Sequence, residues 1–184
     1  MKFNFNSKKV KRWIKFLNPP PKIGGLEITD TKLRYVAMNG GKVKPLSYRL
    51  SAGVIEGGEV KDKAKLISSL IEFHKQIGRL KKPINVVVSI SASNVYTQIF
   101  NLPYVAKSKL EEAAKLNLQM ISPIDVRSAY SDWEMVGETK GGQTKMELMG
   151  AFVGSQIIND LMVSLDEAGF VVVAVESVPL SLAR

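Results

Sequence analysis

The sequence predicts an α/β protein built as two small lobes with mixed sheets. Three observations predict it. Residues 23–50 read as a three-stranded meander, followed by a helical stretch and the β-branched run "INVVVSI". From about residue 94 the pattern restarts as strand, helix, two strands, helix and strand. No internal repeat marks a solenoid.

The elements follow in order. "KIGGLEI" and "LRYVAM" are strands separated by Thr29-Asp30-Thr31-Lys32. Asn39-Gly40-Gly41 supplies residues that tolerate positive φ, so "KVKPLSYRL" returns as the third strand. "SAGVIEGGEV" reads as a glycine-rich loop. "DKAKLISSLIEFHKQIGRL" is a helix with Leu66, Leu70, Phe73 and Ile77 on one stripe, ended by Lys81-Lys82-Pro83. "INVVVSI" is expected as a strand covered on both faces. "NVYTQIFNLP" is a strand ending at Pro103. "SKLEEAAKLNLQMI" is a helix with Ser108 and Glu111 at capping-box spacing and a stripe of Leu110, Ala114, Leu118 and Ile121. "AYSDWEMVGE" and "TKMELMGAFVG" are strands joined at Gly141-Gly142. In "SQIINDLMVSLDEAGF", Ile158, Leu161, Met162 and Leu165 are expected inward, with Gly169 at the C-terminal end. "VVVAVES" is the last strand.

The chain of 184 residues is long enough for one domain or two lobes sharing a core. No apolar run reaches the roughly 18 residues of a membrane span, and residues 1–22 hold no continuous apolar core of a secretory signal. The absence of cysteine excludes disulfides and thiolate metal sites, and fits the cytoplasm. Net charge is +9, and seven of the 26 basic residues lie in the first 22 positions with no acidic residue among them. The body, with 19 basic and 17 acidic residues, is close to neutral. A nucleic-acid protein spreads its basic footprint over a folded face, so nucleic acid is not expected as a partner.

Within that tail, "KKVKRWIKFLNPPP" places Val10, Trp13, Ile14 and Leu17 on one helical face, with lysines and Arg12 on most of the other. Asn18 and three prolines stop the helix and form a stiff spacer. Lys11, Arg12, Trp13, Ile14 and Leu17 suit the surface of an anionic membrane, with residues 8–17 as the contact. A disordered basic leader is the plain alternative.

Catalytic motifs are missing. His74, the single histidine, reads as a helix-surface residue. One histidine and no cysteine remove the usual zinc sets and any Cys–His nucleophile. No Gly-x-Ser-x-Gly elbow or Walker A sequence appears. The pairs Glu111-Glu112 and Asp166-Glu167 read as solvated helix faces, Trp133 and Met146 and Met149 as packing residues. Catalytic and metal-ligating residues are therefore expected to be absent.

Four stretches resemble a known family. "GLEITDTKLRYV", "GVIEGGEVKDKAKLISSLIEFHKQIG", "YTQIFNLPYVAKSKLEEAAKLNLQMISPIDVRSAYSDWEMVG" and "LMVSLDEAGFVVVAVESVPLSLAR" are similar, in that order, to the N-terminal half of the type IV pilus assembly protein PilM family, actin-like ATPases related to FtsA. The resemblance implies an actin-like (ribonuclease H-like) first lobe with an inserted FtsA/PilM-type interaction subdomain. Its divisions are the tail and Pro-rich linker at 1–22, the actin-like subdomain at 23–93 with a return segment at 177–184, and the inserted subdomain at 94–176. The chain ends at Arg184, where the second half of an actin-like molecule would begin, so a fragment or a proteolytic core is expected.

The family's opening hairpin binds phosphate with an Asp and a Gly. By position the Asp falls on Glu27, the Gly on Thr29, the following serines on Asp30 and Thr31, and the Lys on Arg34. A β-branched Thr29 blocks close approach and Asp30 sets an anion against a polyanion, so a degenerate phosphate loop is expected. ATP and Mg are implied only for a full-length molecule completed by a second half. The resemblance further implies a cytoplasmic protein, peripheral at the inner membrane, that docks a short peptide of a PilN-like inner-membrane partner, with self-association as a further property. The groove residues it implies are Tyr96, Gln98, Phe100 and Leu102, with Leu116 and Met120 on the neighbouring helix. The leading expectation is a non-catalytic scaffold of a type IV pilus or related secretion machine. The alternatives are a nucleotide-binding actin-like ATPase or filament former of the FtsA type, and a secretion-system relative without a nucleotide site.

Overall fold

The computed structural model describes residues 23–39, 42–78, 82–139 and 145–177. The tail face Lys11, Arg12, Trp13, Ile14 and Leu17, the turn at Gly40-Gly41, the turn at Gly141-Gly142 and the segment 178–184 lie outside the described residues.

Three strands open the fold: β1 (Ile23–Ile28), β2 (Lys32–Asn39) and β3 (Lys42–Arg49). They form the expected antiparallel meander, with Glu27 opposite Arg34 and Leu33 opposite Tyr48. The stretch read as a glycine-rich loop instead contains a small hairpin, β4 (Ile55–Glu56) and β5 (Glu59–Val60). Gly57 and Gly58, both at positive φ, make its turn. Helix α1 (Lys63–Ile77) follows. Asp62 caps it by accepting from the Lys65 backbone N–H at 3.0 Å. Its carboxyl lies below its ordinary pKa because of the Lys65 side chain first and the Lys65 N–H second.

β6 (Ile84–Ile90) joins β1 in parallel, and β10 (Phe170–Ser177) joins β6 in parallel. The five-stranded sheet therefore runs β10-β6-β1-β2-β3. Between β6 and β10 the chain makes a second unit. It comprises β7 (Val95–Pro103), helix α2 (Lys107–Ile121), β8 (Ala129–Thr139) and β9 (Lys145–Gly154). The three strands form an antiparallel sheet in the order β7-β9-β8. Helix α3 (Ser155–Glu167) leads from β9 to β10.

Two cores hold these units. The first gathers Leu26, Leu33, Leu66, Leu70, Val86 and Val88 with Leu161, Leu165 and Phe170. The second gathers Phe100, Leu102, Ala114, Leu118, Met146, Leu148 and Phe152, with Trp133 packed against it. Gly150 lets α2 approach its sheet: a Cβ there would lie 2.5 Å from Leu118 Cδ2.

α3 and β10 belong to the first lobe, because Leu161, Leu165 and Phe170 are buried with β1 and β6 and β10 hydrogen-bonds to β6. The three-stranded sheet and α2 lie in the chain between β6 and α3 and have their own core. Several expectations for single elements are corrected. β6 buries Val86, Val88 and Ile90 on one face, while the other face is only half covered. Ser108 lies inside α2, whose N-cap Ala106 makes no side-chain cap, and Glu111 pairs instead with Lys115 at 2.8 Å. In α3 the inward position expected for Met162 is taken by Ser164, whose hydroxyl donates to the Asp160 carbonyl at 2.7 Å. His74 is not on the surface. It is 1% exposed, edge-on to Phe170 with ring centroids 5.1 Å apart.

α2 offers a direct test of the second core. Leu118→Ala is expected to destabilise the protein by about 2–4 kcal/mol, as large-to-small core changes do. Leu116→Ala, on the exposed side of the same helix, changes stability by less than about 0.5 kcal/mol. Urea unfolding of the two variants measures both.

Candidate functional site

The hairpin between β1 and β2 turns its polar groups inward on the protein. The Thr29 N–H and Oγ1 both donate to the Lys32 carbonyl at 3.0 Å, and the Lys32 N–H donates back to Thr29 Oγ1 at 3.1 Å. Asp30 reaches across to the β4–β5 turn. Its two carboxylate oxygens accept from the N–H groups of Gly57 and Gly58, each at 2.8 Å. Two successive positive-φ glycines present their amides as an anion-binding concavity, and here an internal carboxylate fills it. Asn94 Nδ2 then donates to the Gly57 carbonyl at 2.6 Å and ties the turn to the short 3-10 helix Ala92–Asn94 ahead of β7. The Thr31 carbonyl accepts from the Leu50 N–H at 2.9 Å. Glu27 and Arg34, opposite each other in register, form an ion pair. The five positions of the expected phosphate loop thus stand together, engaged with one another and with the neighbouring turn. The Asp30–Gly57-Gly58 clamp escaped the sequence reading, since the partners lie 27 and 28 residues apart.

The second feature is a cleft of about 640 Å³ between the two sheets, in the range of ligand pockets. Its walls are the C-terminal half of β10, Ala174–Ser177, and one face of the three-stranded sheet. Register fixes that face. Tyr130, Asp132 and Glu134 of β8 stand opposite Val153, Ala151 and Met149 of β9, so all six point to the same side. The floor is apolar, with Met149, Ala151 and Val153, and the charged residues lining it are Asp132, Glu134 and Glu176. The Tyr130 hydroxyl donates to Asn159 Oδ1 of α3 at 3.0 Å, bracing the cleft against the first lobe.

The expected groove residues lie elsewhere. Tyr96, Gln98, Phe100 and Leu102 stand opposite Phe152, Gly150, Leu148 and Met146, on the α2 side of the sheet. Phe100 and Leu102 are core residues beneath α2. Leu116 and Met120 are exposed on α2, Met120 at 82%. None of the six lines the cleft. The period of two separates the two sets: the alternate residues of β7 face the cleft side, and Val95 belongs to its lining. Among the described residues no three or more His, Cys, Asp or Glu gather as metal ligands would.

No protein-family model matches the sequence, and no curated protein matches it. Solved structures do match. A chain of the PilM-PilN type IV pilus biogenesis complex aligns over 89% of this chain and 49% of its own length, with TM-score 0.74 and 20% identity. The shared property is the fold. The cytoplasmic domain of EpsL, an inner membrane component of the type II secretion system of Vibrio cholerae, aligns over 84% of this chain and 56% of its own, with TM-score 0.53 and 16% identity. The chain thus spans about half the length of the solved chains it matches. The sheet order β3-β2-β1-β6-β10 is an antiparallel meander continued by two parallel strands. No described helix is long and apolar enough to cross a membrane.

The Asp30 clamp predicts a stability effect. Asp30→Ala removes the acceptor from two N–H groups and is expected to cost about 1–3 kcal/mol. Asp30→Asn keeps one acceptor oxygen and loses less. Thermal unfolding of both variants checks the order.

Proposed function

We propose that the chain belongs to a scaffold of a type IV pilus or related secretion assembly machine, and that its cleft docks a short extended peptide from an inner-membrane partner of PilN type. The observation that carries this reading is the cleft itself: an apolar floor bounded by β8 and β10, each the outer strand of its sheet among the described residues. A peptide can add backbone hydrogen bonds at a strand edge and place its apolar side chains in pockets beside it. The fold shared with a chain of the PilM-PilN complex, and with a domain of an inner membrane secretion component, supports the same setting. The protein would work at the cytoplasmic face of that membrane.

The reading includes a hairpin that has left phosphate chemistry. Thr29 and Lys32 satisfy each other, Glu27 is paired with Arg34, and the concavity at Gly57-Gly58 is filled by Asp30. An anion entering there must displace a carboxylate held by two N–H bonds. An FtsA-type ATPase requires the opposite arrangement, with amides open to phosphate.

Two measurements test the proposal. p-Benzoylphenylalanine replacing Tyr130, in the cleft, is expected to photo-crosslink in cells to an inner-membrane protein of the assembly machine. The same group replacing Tyr104, 66% exposed outside the cleft, should not. Equal products from the two sites count against docking in the cleft. Calorimetric titration of the full-length protein with Mg-ATP is expected to give no saturable heat at millimolar nucleotide; saturation would return the ATPase reading to first place.

A further inference from the structure

The charge around the cleft departs from that of the chain as a whole. Outside the first 22 positions the chain carries 19 basic and 17 acidic residues, so a surface of average composition mixes the two signs. The charged residues lining the cleft, among those described, are Asp132, Glu134 and Glu176, all acidic. Glu176 is already engaged within the protein. Asp132 and Glu134 are exposed, and no ion pair among the described residues uses either. Asp132 Oδ1 accepts from the N–H of Trp133, its neighbour in the strand, at 2.9 Å. Its second oxygen and the Glu134 carboxylate are left to face an occupant.

The strand sets the spacing of these charges. Asp132 and Glu134 are alternate residues of β8, opposite Ala151 and Met149 of β9, so they stand on one face about 7 Å apart. An extended peptide has the same period: its side chains i and i+2 point one way, about 7 Å apart, and the residue between them points the other way. Cationic groups at i and i+2 therefore meet the two carboxylates. Apolar residues between them meet the wall of the first lobe, where Ile158, Ala174 and Val175 lie. The same carboxylates repel the phosphate of a nucleotide, a nucleic acid or an anionic lipid. The setting of an inner-membrane partner points to the same chemistry, since segments flanking a membrane span on the cytoplasmic side carry an excess of Lys and Arg.

We propose that the cleft selects a cationic peptide, with Lys or Arg at alternate positions and apolar residues between them, and that this peptide is the cytoplasmic segment flanking the partner's membrane span. Asp132 and Glu134 of β8 take the cationic side chains. This rests on the reading of the cleft as a peptide-docking site, and adds the chemistry by which the peptide is chosen. Complementary charge of this kind steers encounter and rejects acidic competitors, while the apolar surfaces of the cleft supply contact area. A cleft that reads the charge beside a membrane span also keeps the protein close to that membrane.

Fluorescence anisotropy with the full chain tests this, using two labelled hexapeptides, Val-Lys-Val-Lys-Val-Lys and Val-Ser-Val-Ser-Val-Ser. The lysine peptide is expected to saturate, and the serine peptide to bind roughly fivefold more weakly or worse. Asp132→Asn with Glu134→Gln keeps the side-chain sizes and the acceptor for the Trp133 N–H but removes both charges. That pair is expected to weaken the lysine peptide by roughly fivefold or more. Glu111→Gln with Glu112→Gln removes the same charge from the exposed side of α2, and should change the affinity by less than about twofold because distant charges are screened. No saturation by the lysine peptide, equal affinity of the two peptides, or equal weakening by the two variant pairs overturns the proposal. The Tyr130 photo-crosslink reports on docking separately. Mapped by mass spectrometry, its product is expected in a partner segment that holds Lys or Arg at alternate positions. A partner segment without them overturns the charge selection and leaves docking standing. A product confined to this chain, or none, overturns docking itself and with it the assignment of the peptide.

Discussion

The fold depends on one burial requirement. β1 and β6 present Leu26, Ile28, Val86, Val88 and Ile90 to a single side, and that apolar surface needs more cover than α1 alone supplies. Leu161, Leu165 and Phe170 complete it from the far end of the chain. The polypeptide therefore leaves the first lobe after Ile90, builds an independent sheet with its own core under α2, and is drawn back by α3. The cleft is a consequence of this return. It opens where the returning strand β10 passes the sheet that was built in between.

The first hairpin is tied into the architecture by its own polar side chains. Thr29 closes its own turn, and Asp30 locks the β4–β5 turn through two backbone amides. Asn94 extends the tie toward β7, so a chain of short polar contacts runs from the first hairpin to the entry of the inserted sheet. The amides of Gly57 and Gly58 hold this junction through Asp30.

Strand edges and strand faces decide what the cleft can take. β10 meets the cleft along Ala174–Ser177. On the opposite wall, alternation puts Tyr130, Asp132 and Glu134 beside an apolar floor. The same alternation sends Phe100 and Leu102 under α2. A shift of one residue exchanges a cleft face for a core face.

Local chemistry alone determined much of this protein. The meander, the stripes of Leu66, Leu70 and Phe73 and of Ala114 and Leu118, and the strand formed by "INVVVSI" follow from periodicity, and they are where the sequence puts them. The ordered resemblance to an actin-like lobe led to the right fold class, because the order of elements survives when identity falls to 20%. Tertiary structure decided the rest. It alone made Asp30 a clamp on Gly57 and Gly58, placed His74 against Phe170, and assigned α3 and β10 to the first lobe. It also chose which face of β7 would be covered by α2. Each of these joins residues far apart in the chain, and sequence periodicity specifies which residues share a face but not which partner that face will meet.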